Sequence, residues 1–148
     1  MNSLFRTSTL MIGLGIVAGA FGAHGLKGHL DAYSISIWDK AVLYHLLNAL
    51  GLLALSAILA SNSCRSSKEP QTASSAECTA KISFDNRLYR AACVILLGTL
   101  IFSGSLYILA LTGLRWLGAV TPFGGSLMIL GWFYLSLSKL PYQNNLKR

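Results

Sequence analysis

The sequence predicts an all-α integral membrane protein, a bundle of four transmembrane helices, on three observations. Hydrophobic residues make up 53% of the 148 residues and charged residues only 11%, whereas a water-soluble domain carries about 25% charged residues. The mean hydropathy is +0.55. Four apolar stretches stand apart, each bounded by polar or basic residues, and no alternating period-two pattern of the barrel type competes with them. A helix needs roughly 20 apolar residues to cross about 30 Å of hydrocarbon. The expected helices cover about 4–25, 38–60, 88–111 and 116–138, within a single transmembrane domain.

The first stretch is the shortest. Arg6, an apolar run and small residues at Ala18, Ala20 and Ala23 also resemble a cleavable signal peptide. Its N-terminal region carries a single basic residue, however, and its small residues continue as Gly13, Gly15, Gly19 and Gly22. That pattern reads better as a helix-packing face. The second stretch places Tyr44, His45 and Asn48 in an otherwise apolar run. Between the second and third lies a Ser-, Thr- and Ala-rich segment that buries too little apolar surface to offset its ordering entropy, so 61–87 is expected to be a mobile cytoplasmic loop. In the fourth stretch, Thr121 and Pro122 mark either a helix start or a proline inside a longer helix beginning near Leu117. A proline kink within the longer helix, or a broken start, is preferred, because Pro122 to Leu137 alone is short for a crossing.

Basic residues set orientation. With four spans, one side holds Arg6, Arg65, Lys68, Lys81, Arg87, Arg90, Lys139, Lys147 and Arg148, and the other holds Lys27, Lys40 and Arg115. The bias predicts both termini in the cytoplasm and the protein in the inner membrane. The formal net charge of +7 belongs to these flanks, with no basic stripe interleaved with aromatics, so nucleic acid is not an expected partner. Cys64, Cys78 and Cys93 form no CxxC and no Cys/His cluster, so neither a metal site nor any cofactor is expected. On this orientation Cys64 and Cys78 face a reducing compartment, where no bridge forms.

Helices in lipid associate through close approach of small residues rather than through a hydrophobic driving force. Gly15, Gly19 and Gly22 supply such a stripe on the first helix, Gly98 and Ser103 on the third, and Gly124 and Gly131 on the fourth. Trp38, Trp116, Trp132 and Tyr134 are candidate interface anchors.

Polar and ionisable residues inside a membrane segment are costly and frequently functional. His24, His45, Asn48, Tyr107 and Arg115 form the candidate polar site, near the outer end of the first two helices and the third connection. Such a group could bind a quinone, an anion, a lipid head group or a metal; its plainer role is interhelical hydrogen bonding, with Arg115 and Lys27 snorkelling. No acidic residue lies in an apolar core, and no nucleophile elbow, phosphate loop or dinucleotide fingerprint is present. A catalytic residue cannot be named. The expected role is a non-enzymatic structural or accessory membrane component, in the lipid bilayer, as a homo-oligomer or part of a larger complex. A small transporter or channel, or a lipid- or quinone-binding subunit, is the alternative.

Three segments carry a family resemblance: GAFGAHGLK at 19–27, YHLLNALGLL at 44–53, and FSGSLYILALTGLRWLGAVTPFGGSLMILGW at 102–132. Together they resemble the small four-helix membrane family known as domain of unknown function 423. The resemblance implies an inner-membrane protein and supplies no catalytic or binding residues to carry over. The family commonly shows His where this chain has Asn48 and Gln where it has His45. The polar pair is retained with its chemistry redistributed, which weakens a metal-ligand role.

Overall fold

A computed structural model describes residues 2–66 and 75–137. Four helices account for nearly all of it: α1 (Asn2–Phe21), α2 (Ala32–Ser66), α3 (Ser75–Thr112) and α4 (Leu117–Ser136). Each is long and apolar enough to cross a membrane. The chain is a membrane protein of the all-α class.

The helices outrun the apolar stretches. α2 begins at Ala32 rather than 38, and α3 begins at Ser75 rather than 88. Residues 61–66 and 75–87, read from the sequence as loop, are helical here; 67–74 lie outside the described residues. The physical reason is that apolarity and helicity are separate properties. Ala, Glu, Lys, Arg and Leu favour helix in water as well as in lipid, so a helix continues past the hydrocarbon boundary where hydropathy falls. At 1.5 Å per residue α3 extends about 57 Å, nearly twice the hydrocarbon thickness.

α1 ends by widening into a π-helical turn at Gly22–Leu26. The chain then reverses through Gly28, at φ +114°, with Leu30 N–H donating to the Leu26 carbonyl at 3.2 Å. Asp31 caps α2: its carboxylate accepts the Ser34 N–H at 2.9 Å, the usual reach of an N-cap side chain to the third helical residue. The Ser34 hydroxyl and backbone N–H hold the Asp31 carboxyl below its ordinary pKa. α3 ends on Gly113, at φ +69°, whose N–H donates to the Leu109 carbonyl at 2.8 Å. A left-handed glycine just past a helix terminus costs no Cβ clash. α4 then runs unbroken through Pro122. Thr121 Oγ1 donates to the Leu117 carbonyl beside it, at 3.2 Å.

The helices pack in chain order. α1 lies on α2, α2 on α3 and α3 on α4; among the described residues no Cα of α4 comes within 8 Å of one in α1 or α2. Two buried clusters hold the arrangement. One joins Leu4 and Met11 of α1, Ala49, Leu52 and Leu55 of α2, and Phe84, Leu88, Ala92 and Ile95 of α3. The other, at the opposite end, joins Leu26, Ile37, Trp38 and Ala110. The α3–α4 seam is a backbone contact. A Cβ at Gly124 would stand 2.5 Å from Phe102 N, and one at Gly98 would stand 2.8 Å from Met128 N. Gly131 receives the Ile95 side chain at a similar distance. Large apolar side chains such as Leu10, Val17, Leu47, Ile129 and Phe133 point outward, as a lipid-facing surface requires.

Candidate functional site

Two buried polar side chains of α2, His45 and Asn48, sit on neighbouring faces and meet different helices. His45 turns toward α1 and α3. Its Nδ1 hydrogen-bonds the Tyr107 hydroxyl at 3.2 Å, and its Cδ2 lies 3.8 Å from where a Cβ at Gly15 would stand. Small size at Gly15 therefore makes room for the imidazole and Leu46. Tyr107 also packs against Trp38, the rings tilted at 55° with centroids 4.6 Å apart, and Trp38 donates its indole N–H to the Ala18 carbonyl at 2.9 Å. A Cβ at Gly22 would stand 2.5 Å from Trp38 Nε1; the glycine and the π-helical turn together admit the indole. Trp38, read from sequence as an interface anchor, is buried at 6% exposure, because it plugs the α1–α2–α3 junction.

Asn48, three residues on, turns toward α4. Its Nδ2 donates to the Tyr44 carbonyl at 2.9 Å and to Met128 Sδ at 3.2 Å. Its Oδ1 accepts the Trp132 indole N–H at 2.9 Å. The partners fix the amide orientation, since a carbonyl only accepts and an indole only donates. Trp132 also covers Gly51, where a Cβ would stand 2.6 Å from the indole.

Around Asn48 the gap between α2 and α4 forms a groove of about 700 Å³, floored by α3. Tyr44 and Leu47 line one wall, Phe102 the floor, and Gly125, Met128, Ile129, Trp132, Phe133 and Ser136 the other wall. Tyr44 and Phe102 meet edge to face at 4.9 Å. Apart from Asn48 and Ser136 the lining is aromatic or aliphatic, so the groove suits an apolar occupant with little hydrogen-bonding demand.

The five residues of the sequence-predicted polar site do not form one constellation. His45 and Tyr107 are joined, Asn48 belongs to the α4 contact, and His24 and Arg115 are exposed at the helix ends. His24 sits in the π-helical turn and Arg115 in the turn before α4, where a short side excursion reaches the polar boundary. Sequence reasoning missed Trp132 and Met128 as partners of Asn48. They lie 84 and 80 residues away, and the signal was a small residue, Gly51, one turn beyond Asn48. Among the packing residues, Gly15, Gly22, Gly98, Gly124 and Gly131 each face a neighbouring helix closely, Gly19 lies 3.4 Å from Val42 measured at an added Cβ, and Ser103 is buried at 3% exposure. His45 Nε2 and Ser103 Oγ are buried without a hydrogen-bond partner among the described residues. No group of three or more His, Cys, Asp or Glu side chains converges among them either.

This sequence matches the family described as "Protein of unknown function (DUF423)" over residues 18–125. The chain belongs to the DUF423 family. That match covers the end of α1, all of α2 and α3, and α4 as far as Gly125, which lines the groove. A UPF0382 membrane protein of Staphylococcus haemolyticus is 38% identical over 129 residues, covering 87% of this chain and 88% of that protein. The UPF0382 membrane protein YwdK of Bacillus subtilis is 34% identical over the same length, covering 87% and 89%. No solved structure matches the chain. The segment matched by the DUF423 family thus includes the Asn48 wall of the groove, its Phe102 floor and Gly125, while Trp132 lies beyond it.

Proposed function

We propose that this DUF423 member is a non-enzymatic accessory membrane component whose α2–α4 groove receives a transmembrane helix of a partner. The observation that carries the reading is the groove itself. It lies between two helices whose backbones stay apart, its lining is largely apolar, and Gly125 leaves the α4 wall without a side chain at that point. A Cβ at Gly125 would only make ordinary contact with the Phe102 ring, at 3.6 Å, so the groove leaves room for an incoming side chain. Small residues and aromatic walls are what helix association in lipid uses. The buried amide in the groove, Asn48, is already satisfied by Tyr44, Met128 and Trp132, so an apolar helix leaves no unpaired amide there.

A small transporter or channel is the weaker reading. It calls for polar groups facing a continuous path, whereas Ser8, Ser56, Thr99 and Ser105 donate to backbone carbonyls of their own helices. The nine-to-three distribution of basic residues supports an inner-membrane protein with cytoplasmic termini.

Site-specific photocrosslinking in the native membrane tests the proposal. A photoreactive residue at Ile129, in the groove, is expected to give an adduct of one discrete protein mass. That adduct should be lost when Gly125→Phe fills the groove and absent from Val17 on α1. An adduct of twice the chain's mass would make the partner a second copy. Lipid-mass adducts alone, or identical adducts from Ile129 and Val17, would overturn it.

A further inference from the structure

A second cavity, distinct from the groove, lies between the N-terminal part of α3 and the end of α4. It has a volume of about 580 Å³ and is lined by Ile82, Ser83, Asn86, Arg87, Arg90 and Tyr134. The α3 residues recur at helical spacing, so they form one face, and Tyr134 closes the cavity from the neighbouring helix.

Its depth follows from helix geometry. From Arg90 to Thr112 an α-helix rises about 33 Å, which matches the hydrocarbon thickness of roughly 30 Å. A hydrocarbon layer spanning Arg90–Thr112 would set Arg87 and Arg90 at the level of the lipid phosphates, with Tyr89 and Tyr134 in aromatic-belt positions. Both arginines are exposed, while Phe84 and Leu88 on the opposite face are buried at 5% and 2% exposure. The packed face fixes the helix, and the rotation of that face presents the guanidiniums to the cavity.

The chemistry of the lining selects an anion. Two guanidiniums one turn apart offer planar, bidentate donors matched to phosphate oxygens. Asn86 and Ser83 add neutral donors. Ile82 lines the same cavity, giving an apolar wall that a free inorganic anion does not need and an acyl glycerol does. Basic pockets between transmembrane helices at the membrane surface are suited to anionic lipid head groups.

We propose that this pocket is a binding site for the head-group phosphate of an anionic glycerophospholipid. It is independent of the α2–α4 groove: either can fail while the other stands.

The test is native mass spectrometry of the detergent-purified full chain, titrated with palmitoyl-oleoyl phosphatidylglycerol or with the zwitterionic phosphatidylcholine of the same chains. The wild type should retain phosphatidylglycerol in preference. The Arg87→Ala, Arg90→Ala variant should bind it roughly 10- to 30-fold more weakly, given the usual contribution of each surface basic residue. Lys27→Ala, Arg115→Ala removes the same charge from the other end and should leave binding unchanged. The Arg87→Lys, Arg90→Lys variant keeps the charge and should recover part of the affinity, which separates head-group binding from loss of fold. Equal retention of the two lipids, or equal loss in the Lys27 and Arg115 variant, would overturn the proposal. So would inorganic phosphate raising the thermal stability of delipidated protein as much as phosphatidylglycerol does, since the site would then take the free anion.

Discussion

Trp132 of α4 donates its indole N–H to Asn48 Oδ1 of α2 at 2.9 Å, across a gap that the two helix backbones do not close. Among the described residues it is the one side-chain bridge between these helices whose two ends are both polar, alongside the softer Asn48–Met128 contact. Trp132→Phe keeps an aromatic ring over Gly51 and deletes the donor. Interhelical hydrogen bonds in membrane proteins contribute about 0.6–2 kcal/mol, so unfolding in a mixed-detergent titration should move by that amount. A double-mutant cycle with Asn48→Leu should show coupling of the same order. Additive effects would mean that the bond contributes nothing measurable.

The α3–α4 seam makes a sharper demand. Gly124→Ala places a methyl 2.5 Å from the Phe102 backbone nitrogen, which neither helix can yield without separating. Overpacking of this kind costs about 1–3 kcal/mol. Gly104, on the same helix as Phe102, has nothing within 4 Å of an added Cβ. Gly104→Ala should therefore be neutral or slightly stabilising through helix propensity. Equal effects of the two alanines in the same unfolding assay would contradict the seam.

At the other end, Gly22→Val should expel the Trp38 indole from its place against α1. The expected readout is a red shift of Trp38 emission in a protein whose other tryptophans are replaced by Phe. Unchanged emission would mean that the indole does not depend on the space left by Gly22.

Asp31 gives a pH dependence with a defined sign. Folding lowers its pKa through the Ser34 hydroxyl and backbone N–H. The cap is therefore present in full above the ordinary carboxylate range and is lost as pH falls through the lowered value. Hydrogen exchange at the first turn of α2 should quicken on acidification in the wild type. Asp31→Asn, which still caps, should remove most of that dependence. A wild-type profile flat with pH would refute the assignment.

The sequence made the four spans legible because a bilayer imposes a length and a polarity that hydropathy reads directly. It did not show where α2 and α3 end. Their extensions are polar, and single-sequence hydropathy says nothing about helicity outside lipid. The site was legible in part. His45, Asn48 and Tyr107 stood out as polar residues in apolar runs, and all three are placed at helix contacts. His24 and Arg115 stood out for the same reason, yet they lie exposed near helix ends, where polarity carries little cost. Trp132 was invisible as a partner because its link to Asn48 depends on how α3 holds α4 beside α2, a long-range relationship across 84 residues that no local pattern reports.

A partner helix can enter the α2–α4 groove only if the groove opens to hydrocarbon beside Asn48. Fluorescence quenching by lipids brominated at mid-chain checks this. Two single-tryptophan proteins would be compared in reconstituted bilayers, one keeping Trp132 and the other keeping Trp38. Trp132 is 37% exposed, on the groove wall, and Trp38 only 6%. Trp132 emission should be quenched several-fold more than that of Trp38. Equally weak quenching of both would show that the groove is closed to lipid and would overturn the proposal.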